Sequence, residues 1–236
     1  MPFVEQTIRA GRTVEVVRQY VGRYKPGCTA RGQREAPTSA KMARVNERQA
    51  EAKLRRLLNA NFEPGDIHEV LTYSNANRPD TGQEARERLT RYMRKLRYHY
   101  GKHGIPLRYV TVTEYRRKRI HHHLVLSAAP RQLLKELWTA GAVDVQYLDD
   151  SGQYGDLARY LVKETNTTIH DEAPIFRKRW NPSRNLVKPV IEEQLITRAR
   201  IGQPLTLEGY QLERDRYSRG VNDWGYEYEY CSFVQL

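Results

Sequence analysis

The sequence has few cysteines and no long apolar run. Only two cysteines, Cys28 and Cys231, occur among its 236 residues, which excludes a disulfide framework and a zinc site built on cysteines. No apolar stretch approaches the roughly 20 residues that cross a membrane, and the first residues contain no apolar signal-peptide core. Glycine-rich phosphate loops and internal repeats are absent as well. These absences favour a protein with reduced thiols in the cytoplasm and without a membrane partner.

The composition is strongly basic and rich in tyrosine. Lys and Arg number 40 against 28 Asp and Glu, which gives a net charge of +12, and 16 Tyr stand against four Phe. Such an excess of positive charge is typical of proteins that bind nucleic acid, although a solvated basic surface without a partner is the simpler alternative. Tyrosine combines an apolar ring with a polar tip, and it suits wet interfaces and stacking on bases.

The hydrophobic periodicity predicts an α+β protein. An N-terminal hairpin over 3–23 is followed by a basic helix that begins at Thr38 or Ser39 and runs to about Asn61. From residue 66 the predicted order is β-α-β-β-α-β-α, with strands at 66–74, 107–115, 119–127 and 142–148, and helices at about 80–103, 130–141 and 153–166. This order predicts an antiparallel sheet with helices on one face, the ferredoxin-like or split βαβ arrangement.

The same pattern divides the chain into three parts. We predict an N-terminal hairpin and basic helix over 1–65, a core domain over 66–168, and a C-terminal appendage over 169–236. Prolines interrupt the last part repeatedly, at Pro174, Pro182, Pro189 and Pro204. We therefore expect short elements there and no second large core.

Three consecutive histidines lie within one predicted strand. Because side chains alternate between the faces of a sheet, His121 and His123 point the same way and His122 points oppositely. Two imidazoles on one face can chelate a metal, and Glu114 at the end of the neighbouring strand lies within reach of the pair. His68 is a weaker candidate for a third ligand. An exposed polar strand face is the alternative interpretation of the histidine run.

The last predicted helix contains a tyrosine and a lysine three residues apart. Tyr160 and Lys163 share one face of that helix. A tyrosine hydroxyl can attack a phosphodiester, and a nearby ammonium can stabilise charge on the phosphate oxygens. The spacing alone is weak evidence, since an amphipathic helix with Tyr160 in the core would show it as well.

Taken together, these motifs resemble the HUH endonuclease superfamily. Within it the sequence most resembles rolling-circle replication initiators, the replication-associated proteins of small phages and plasmids. The matching stretches are 70–74, the histidine run at 119–126, the tyrosine motif at 158–164 and, downstream, 179–186. One departure is His122, because the residue between the paired histidines is usually hydrophobic.

The resemblance implies a role for each matched residue. His121 and His123 become metal ligands with Glu114 as the third, Tyr160 the nucleophile and Lys163 its helper. Tyr154 lies about 120° from Tyr160 around the predicted helix, so we expect a single-tyrosine enzyme. The implied cofactor is Mg²⁺ or Mn²⁺. Two basic clusters are candidates for contact with DNA: Arg116, Arg117, Lys118 and Arg119, and Arg177, Lys178 and Arg179.

The implied activity is the nicking and joining of single-stranded or hairpin origin DNA. Tyr160 would form a 5′-phosphotyrosine and release a 3′ hydroxyl that primes replication by a polymerase in the bacterial host cytoplasm. No helicase motif follows the core, so a host helicase is expected as a partner. A single-tyrosine transposase and a mobilisation relaxase would use similar chemistry. A non-catalytic nucleic-acid-binding protein and a zinc hydrolase are the alternatives from other classes.

Overall fold

The computed structural model describes residues 3–22, 39–114, 120–165, 178–222 and 225–236. Four α-helices and eleven β-strands are formed within these ranges. In chain order they are β1 (Phe3–Ala10), β2 (Thr13–Tyr20), α1 (Ala40–Asn59), β3 (Ile67–Thr72), α2 (Gly82–Lys102), β4 (Tyr109–Glu114), β5 (His121–Leu126), α3 (Arg131–Leu137), β6 (Val143–Tyr147), α4 (Gly155–Thr165), β7 (Asn181–Pro182), β8 (Val190–Ile196), β9 (Tyr210–Leu212), β10 (Ser218–Val221) and β11 (Glu227–Gln235).

The chain folds into two compact units. The central unit spans Gln49–Val187, and the terminal unit combines Met1–Arg48 with Lys188–Leu236. The predicted α+β class with antiparallel sheets is confirmed, since each unit contains one sheet in which every pairing is antiparallel.

The central unit is built on a five-stranded sheet with the order β6-β3-β5-β4-β7. The predicted strand and helix order from residue 66 is confirmed, with each element within a few residues of its expected position. α2 begins where the sequence predicts, because the Thr81 side chain accepts a hydrogen bond from the Glu84 backbone N–H at 3.1 Å and caps the helix.

Two hydrophobic clusters cover the two faces of this sheet. On one face, the apolar residues of α2 and α3 pack on alternate residues of β3 and β5, including Ile67, Leu71, Leu124 and Leu126. On the other face, the second half of α1 and the buried side of α4 pack on Val110, Val112 and Val125. The second face also carries His121 and His123, so α4 lies beside the paired histidines.

The terminal unit is a six-stranded sheet with the order β10-β11-β2-β1-β8, and β9 pairs with β11. The predicted N-terminal hairpin is confirmed, and its turn contains Gly11 at φ 57°. Strands from the last 50 residues extend this hairpin on both sides, β8 beside β1 and β11 beside β2. Its centre holds Arg18, which is ion-paired to Glu5 and Glu229.

Candidate functional site

The strand register places the paired histidines on one face of the central sheet. Thr72 and Glu114 flank His121 across the two neighbouring strands, and Val70 and Val112 flank His123. Because directly opposed residues share a face, Glu114 projects beside His121 and His123 toward α4. The predicted alternation of the histidine run is therefore present.

His122 points to the opposite face and is completely buried. One ring nitrogen lies 2.7 Å from the Tyr73 hydroxyl and the other 2.8 Å from the Thr113 hydroxyl. Burial, with a smaller contribution from the neighbouring His121, lowers the pKa of His122 to about 3. The middle histidine is thus a neutral core residue whose two nitrogens are both hydrogen-bonded, which explains how an imidazole replaces an apolar residue there.

The two outward histidines form a potential metal group with a carboxylate from α4. One ligand atom each from His121, His123 and Glu164 lie within 4.8 Å of one another. The imidazole rings are 4.8 Å apart between centroids and nearly perpendicular. Two nitrogens and one carboxylate oxygen fit a divalent cation such as Mn²⁺ or Mg²⁺. Sequence reasoning missed Glu164, although its position four residues after Tyr160 on a helix places both on one face.

Glu114 contacts the same histidine from the sheet. Its Oε2 lies 3.2 Å from His121 Nε2, and the side chain is almost completely buried. Glu114 is not a member of the group that His121, His123 and Glu164 form. A carboxylate in this position fixes the orientation of the imidazole. The assignment of Glu114 as third ligand stays a prediction.

His68 on β3 supports the ring of His123. His68 Nε2 lies 3.3 Å from His123 Nδ1, and the two rings stack with centroids 5.5 Å apart. Burial lowers the pKa of His68, an effect that Asp144 and Gln146 on the neighbouring strand partly oppose. A neutral His68 that shares a hydrogen bond with His123 Nδ1 directs the other nitrogen of His123 toward α4.

Tyr160 on α4 lies over the histidines and is 43% exposed. Its ring packs edge-on against His123, with centroids 5.3 Å apart, and near His68 at 6.3 Å. Burial raises the pKa of the hydroxyl, and the negative charges of Glu164 and Glu114 raise it further. Lys163, one turn later on the same helix, is exposed. The helix thus brings an accessible phenol to the metal-binding group.

Tyr154 lies away from this group. It is only 4% exposed, belongs to the cluster formed with α1 and α4, and donates a hydrogen bond from its hydroxyl to the Asp149 carbonyl at 3.3 Å. Its backbone N–H donates to Asn59 Oδ1 at 2.9 Å. Tyr154 is therefore a core residue, and the single-tyrosine enzyme stays a prediction.

Two of the predicted DNA-binding residues, Lys178 and Arg179, lie within the described residues. Lys178 is exposed, and Arg179 is partly buried, with its Nη1 donating to Thr165 Oγ1 at 3.3 Å. Arg179 therefore contacts the last residue of the helix that carries Tyr160. The predicted residues Arg116, Arg117, Lys118, Arg119 and Arg177 lie outside the described residues. Within the described ranges, no helix is both long and apolar enough to span a membrane.

These features define a basic α+β protein with a candidate metal centre beside an accessible tyrosine. Residues 70–165 match the model of the family described as Replication-associated protein ORF2/G2P, so this segment of the chain is similar to that family. No curated protein and no solved structure gave a significant match. The family match confirms the resemblance to replication-associated proteins and supports a role in replication initiation with DNA as partner. It runs from within β3 to the end of α4 and contains Glu114, the paired histidines, Tyr160 and Glu164, whereas His68, Lys178 and Arg179 lie outside it.

Proposed function

We propose that this protein nicks and rejoins single-stranded origin DNA by metal-assisted tyrosine transesterification, and so initiates rolling-circle replication of a phage or plasmid. The observation that carries the proposal is the position of Tyr160. It is the accessible tyrosine of α4, and its ring lies against His123 of a group that can bind a metal. The family match adds support, since it covers the histidines and the tyrosine together.

The proposed metal ligands are His121 and His123 with a carboxylate. Glu164 is the carboxylate whose ligand atom lies within 4.8 Å of those of the two histidines. Glu114, which contacts His121 from the sheet, is the alternative. These residues would hold a divalent cation, which would supply polarisation of the scissile phosphate and charge to offset that developing on its oxygens. The protein's contribution is the fixed geometry of the donors, since His68 orients His123 and Glu114 orients His121.

In the proposed reaction Tyr160 Oη forms a bond to phosphorus while the bond from phosphorus to the 3′ oxygen breaks. The phenolic proton passes to solvent, which reaches the half-exposed side chain, and the departing 3′ oxygen takes up a proton. The products are a 5′-phosphotyrosyl link and a free 3′ hydroxyl. Because no water is consumed, the energy of the phosphodiester is retained and the strand can be rejoined.

Neighbouring cations have separate roles in this proposal. Lys163 is exposed on the Tyr160 helix, where its ammonium can stabilise charge on the phosphate oxygens or orient the strand. Lys178 and Arg179, with Arg116, Arg117, Lys118, Arg119 and Arg177, supply sequence-independent attraction for the DNA backbone, which makes binding steeply dependent on salt. The released 3′ hydroxyl would serve a host polymerase, with a host helicase unwinding the template.

Covalent capture of DNA tests this proposal. The purified protein is incubated with labelled single-stranded fragments that cover the replicon encoding it, in Mn²⁺ or in EDTA, and adducts are resolved on a denaturing gel. We expect an adduct that requires both Mn²⁺ and Tyr160. Tyr160→Phe should abolish it, whereas Tyr154→Phe, which removes a buried hydroxyl from the same helix region, should retain it.

Two results would overturn the proposal. An adduct that persists in Tyr160→Phe would assign the nucleophile to another residue. Binding of the fragments without any metal-dependent adduct would identify a non-catalytic nucleic-acid-binding protein.

A further inference from the structure

The outer surface of α2 is strongly basic along its second half. Arg88–Lys102 contains no Asp or Glu, whereas the first turns of the helix include Glu84 and Glu87. Five cations of this half are exposed to solvent and form what we term the α2 basic surface: Arg91, Arg94, Lys95, Arg97 and Lys102. At 1.5 Å per residue, they extend over about 16 Å of the helix.

This surface lies on the side of the central sheet opposite to the metal-binding group. The buried residues of α2, among them Leu89, Tyr92 and Leu96, pack on the sheet face that also contains Leu124 and Leu126. His121 and His123 alternate with those leucines and face α4 instead. A ligand on the α2 basic surface therefore binds at a site separate from Tyr160.

A cleft at the C-terminal end of α2 continues the basic surface. It has a volume of about 700 Å³ and is lined by residues of α2, β4 and the segment after β7, among them Arg97, Tyr109, Arg184 and Asn185. Arg97 Nη2 donates to the Tyr109 hydroxyl at 3.0 Å, and the guanidinium lies 5.9 Å from the centroid of the Tyr109 ring. Arg184 also lines the cleft and is exposed, so the cleft adds a sixth cation.

We infer that the α2 basic surface is a second nucleic-acid-binding site, which takes the phosphate backbone of duplex DNA. The inference rests on the proposed function and extends it. It assigns a separate site to the double-stranded DNA that adjoins the single strand to be cut. Charge complementarity favours this occupant: duplex DNA presents one negative charge per roughly 1.7 Å of its axis, or about ten along the length of the surface.

The form of the surface favours a duplex over a single strand. Sites for single strands combine a basic groove with aromatic side chains on which successive bases stack. Here the cations lie on the solvent-exposed side of a helix and not in a groove, and Tyr98, 68% exposed, is the only exposed tyrosine of α2. Stabilisation of the helix C-terminus by cations accounts for Lys102 but not for Arg91 or Arg94, which lie two to three turns earlier.

The inference is tested with a charge-matched pair of triple variants. One variant combines Arg91→Gln, Arg94→Gln and Lys102→Gln; the control combines Lys53→Gln, Arg78→Gln and Arg214→Gln, three exposed cations elsewhere in the chain. Affinity for a fluorescent duplex of about 20 base pairs and arbitrary sequence is measured by anisotropy over a series of salt concentrations. Glutamine keeps the helix propensity high, so folding is retained.

We expect the α2 variant to bind the duplex at least about tenfold more weakly at about 0.1 M salt, and to reduce the slope of log K against log salt by about 2 to 3. The control variant should keep an affinity and a salt dependence close to those of the unmodified protein. Equal losses of duplex affinity in the two variants, or no loss in either, would overturn the inference.

The adduct assay distinguishes this inference from the proposed function. The α2 variant should still form the Mn²⁺-dependent adduct with single-stranded origin DNA, because its changes lie on the other side of the sheet. Loss of that adduct together with duplex affinity would contradict the separation of the two sites. Absence of adduct from every variant, including the unmodified protein, would refute the proposed nicking reaction and leave the duplex measurement intact.

Discussion

Glu164 follows Tyr160 by one turn of α4, so the carboxylate lies beside His121 and His123 while the phenol ring packs against His123. This relationship couples the two parts of the site, since one rigid helix positions both a metal-binding oxygen and the proposed nucleophile. It also explains why the negative charge of Glu164 raises the pKa of Tyr160. A cation bound to the group would offset that charge.

The first prediction concerns the carboxylate that completes the metal group. Glu164→Gln should weaken Mn²⁺ binding by at least about tenfold, since it removes a charged oxygen next to His121 and His123. Isothermal titration with Mn²⁺ in the absence of DNA gives the affinity directly. Glu114→Gln makes the same chemical change on the sheet side of His121. It should reduce the Mn²⁺ affinity less, because Glu114 acts by orienting the imidazole that it contacts. The reverse order of the two effects would identify Glu114 as the third ligand.

The second prediction concerns the structural role of the middle histidine, His122. His122→Ala should lower the free energy of unfolding by about 2 to 4 kcal/mol, because it opens a cavity in the core and leaves the Tyr73 and Thr113 hydroxyls without their shared partner. Urea unfolding followed by circular dichroism measures the change. His103→Ala, at an exposed position directly after α2, is the control and should cost less than about 1 kcal/mol. Equal stability of the two variants would contradict a structural role for His122.

Much of the central unit could be predicted from the sequence because its signals are local. Alternation along β5 separated His122 from His121 and His123, and helical periodicity placed the buried face of α2. Glu164 could have been predicted in the same way, since the four-residue spacing on α4 places it beside Tyr160. Tyr154, which the sequence placed on the same helix as Tyr160, precedes α4 and is buried.

The terminal unit could not be predicted in the same way. Val4 pairs with Leu195 and Gln19 with Tyr228, and such long-range registers depend on tertiary packing. The buried charges at the centre of this sheet could not be predicted either. Nothing in the sequence distinguishes Arg18 from the many exposed arginines. Only the assembled sheet brings Arg18 between two carboxylates.

The third prediction is a pH dependence caused by a buried acid. Glu69 is completely buried under α2, where Tyr92 donates a hydrogen bond to its Oε1 at 2.6 Å. Burial raises its pKa from 4.5 to about 7, although the hydrogen bond from Tyr92 opposes the change. Between these two values the native carboxyl retains a proton that the unfolded chain has lost, so stability falls as pH rises and levels off above about pH 7. The total loss is about 3 kcal/mol.

Glu69→Gln tests this linkage. The amide still accepts from Tyr92 but carries no charge at any pH, so the decline in stability attributed to Glu69 should disappear. Urea unfolding between about pH 5 and pH 8 should show the variant more stable than the unmodified protein by about 2 to 3 kcal/mol at the upper end and similar at the lower end. Parallel stability curves for the two proteins would refute a raised pKa at Glu69.

The last prediction concerns the buried ion pairs of the terminal unit. Arg18 Nε lies 2.6 Å from Glu5 Oε2, and Arg18 Nη1 lies 2.9 Å from Glu229 Oε2, with all three side chains almost fully buried. Nη1 also donates to the carbonyls of Arg200 and Gln203 at 3.0 and 3.2 Å. One guanidinium therefore joins β1, β2, β11 and the segment after β8.

Arg18→Met should cost about 3 to 5 kcal/mol of stability, because it leaves two carboxylates buried without their shortest cationic partner. Arg9→Met, an exposed change on the neighbouring strand, removes the same charge and should cost less than about 1 kcal/mol. Chemical denaturation of both variants at neutral pH supplies the comparison. A loss at Arg18 no larger than that at Arg9 would mean that packing between the strands, and not the buried guanidinium, stabilises the sheet formed by the two ends of the chain.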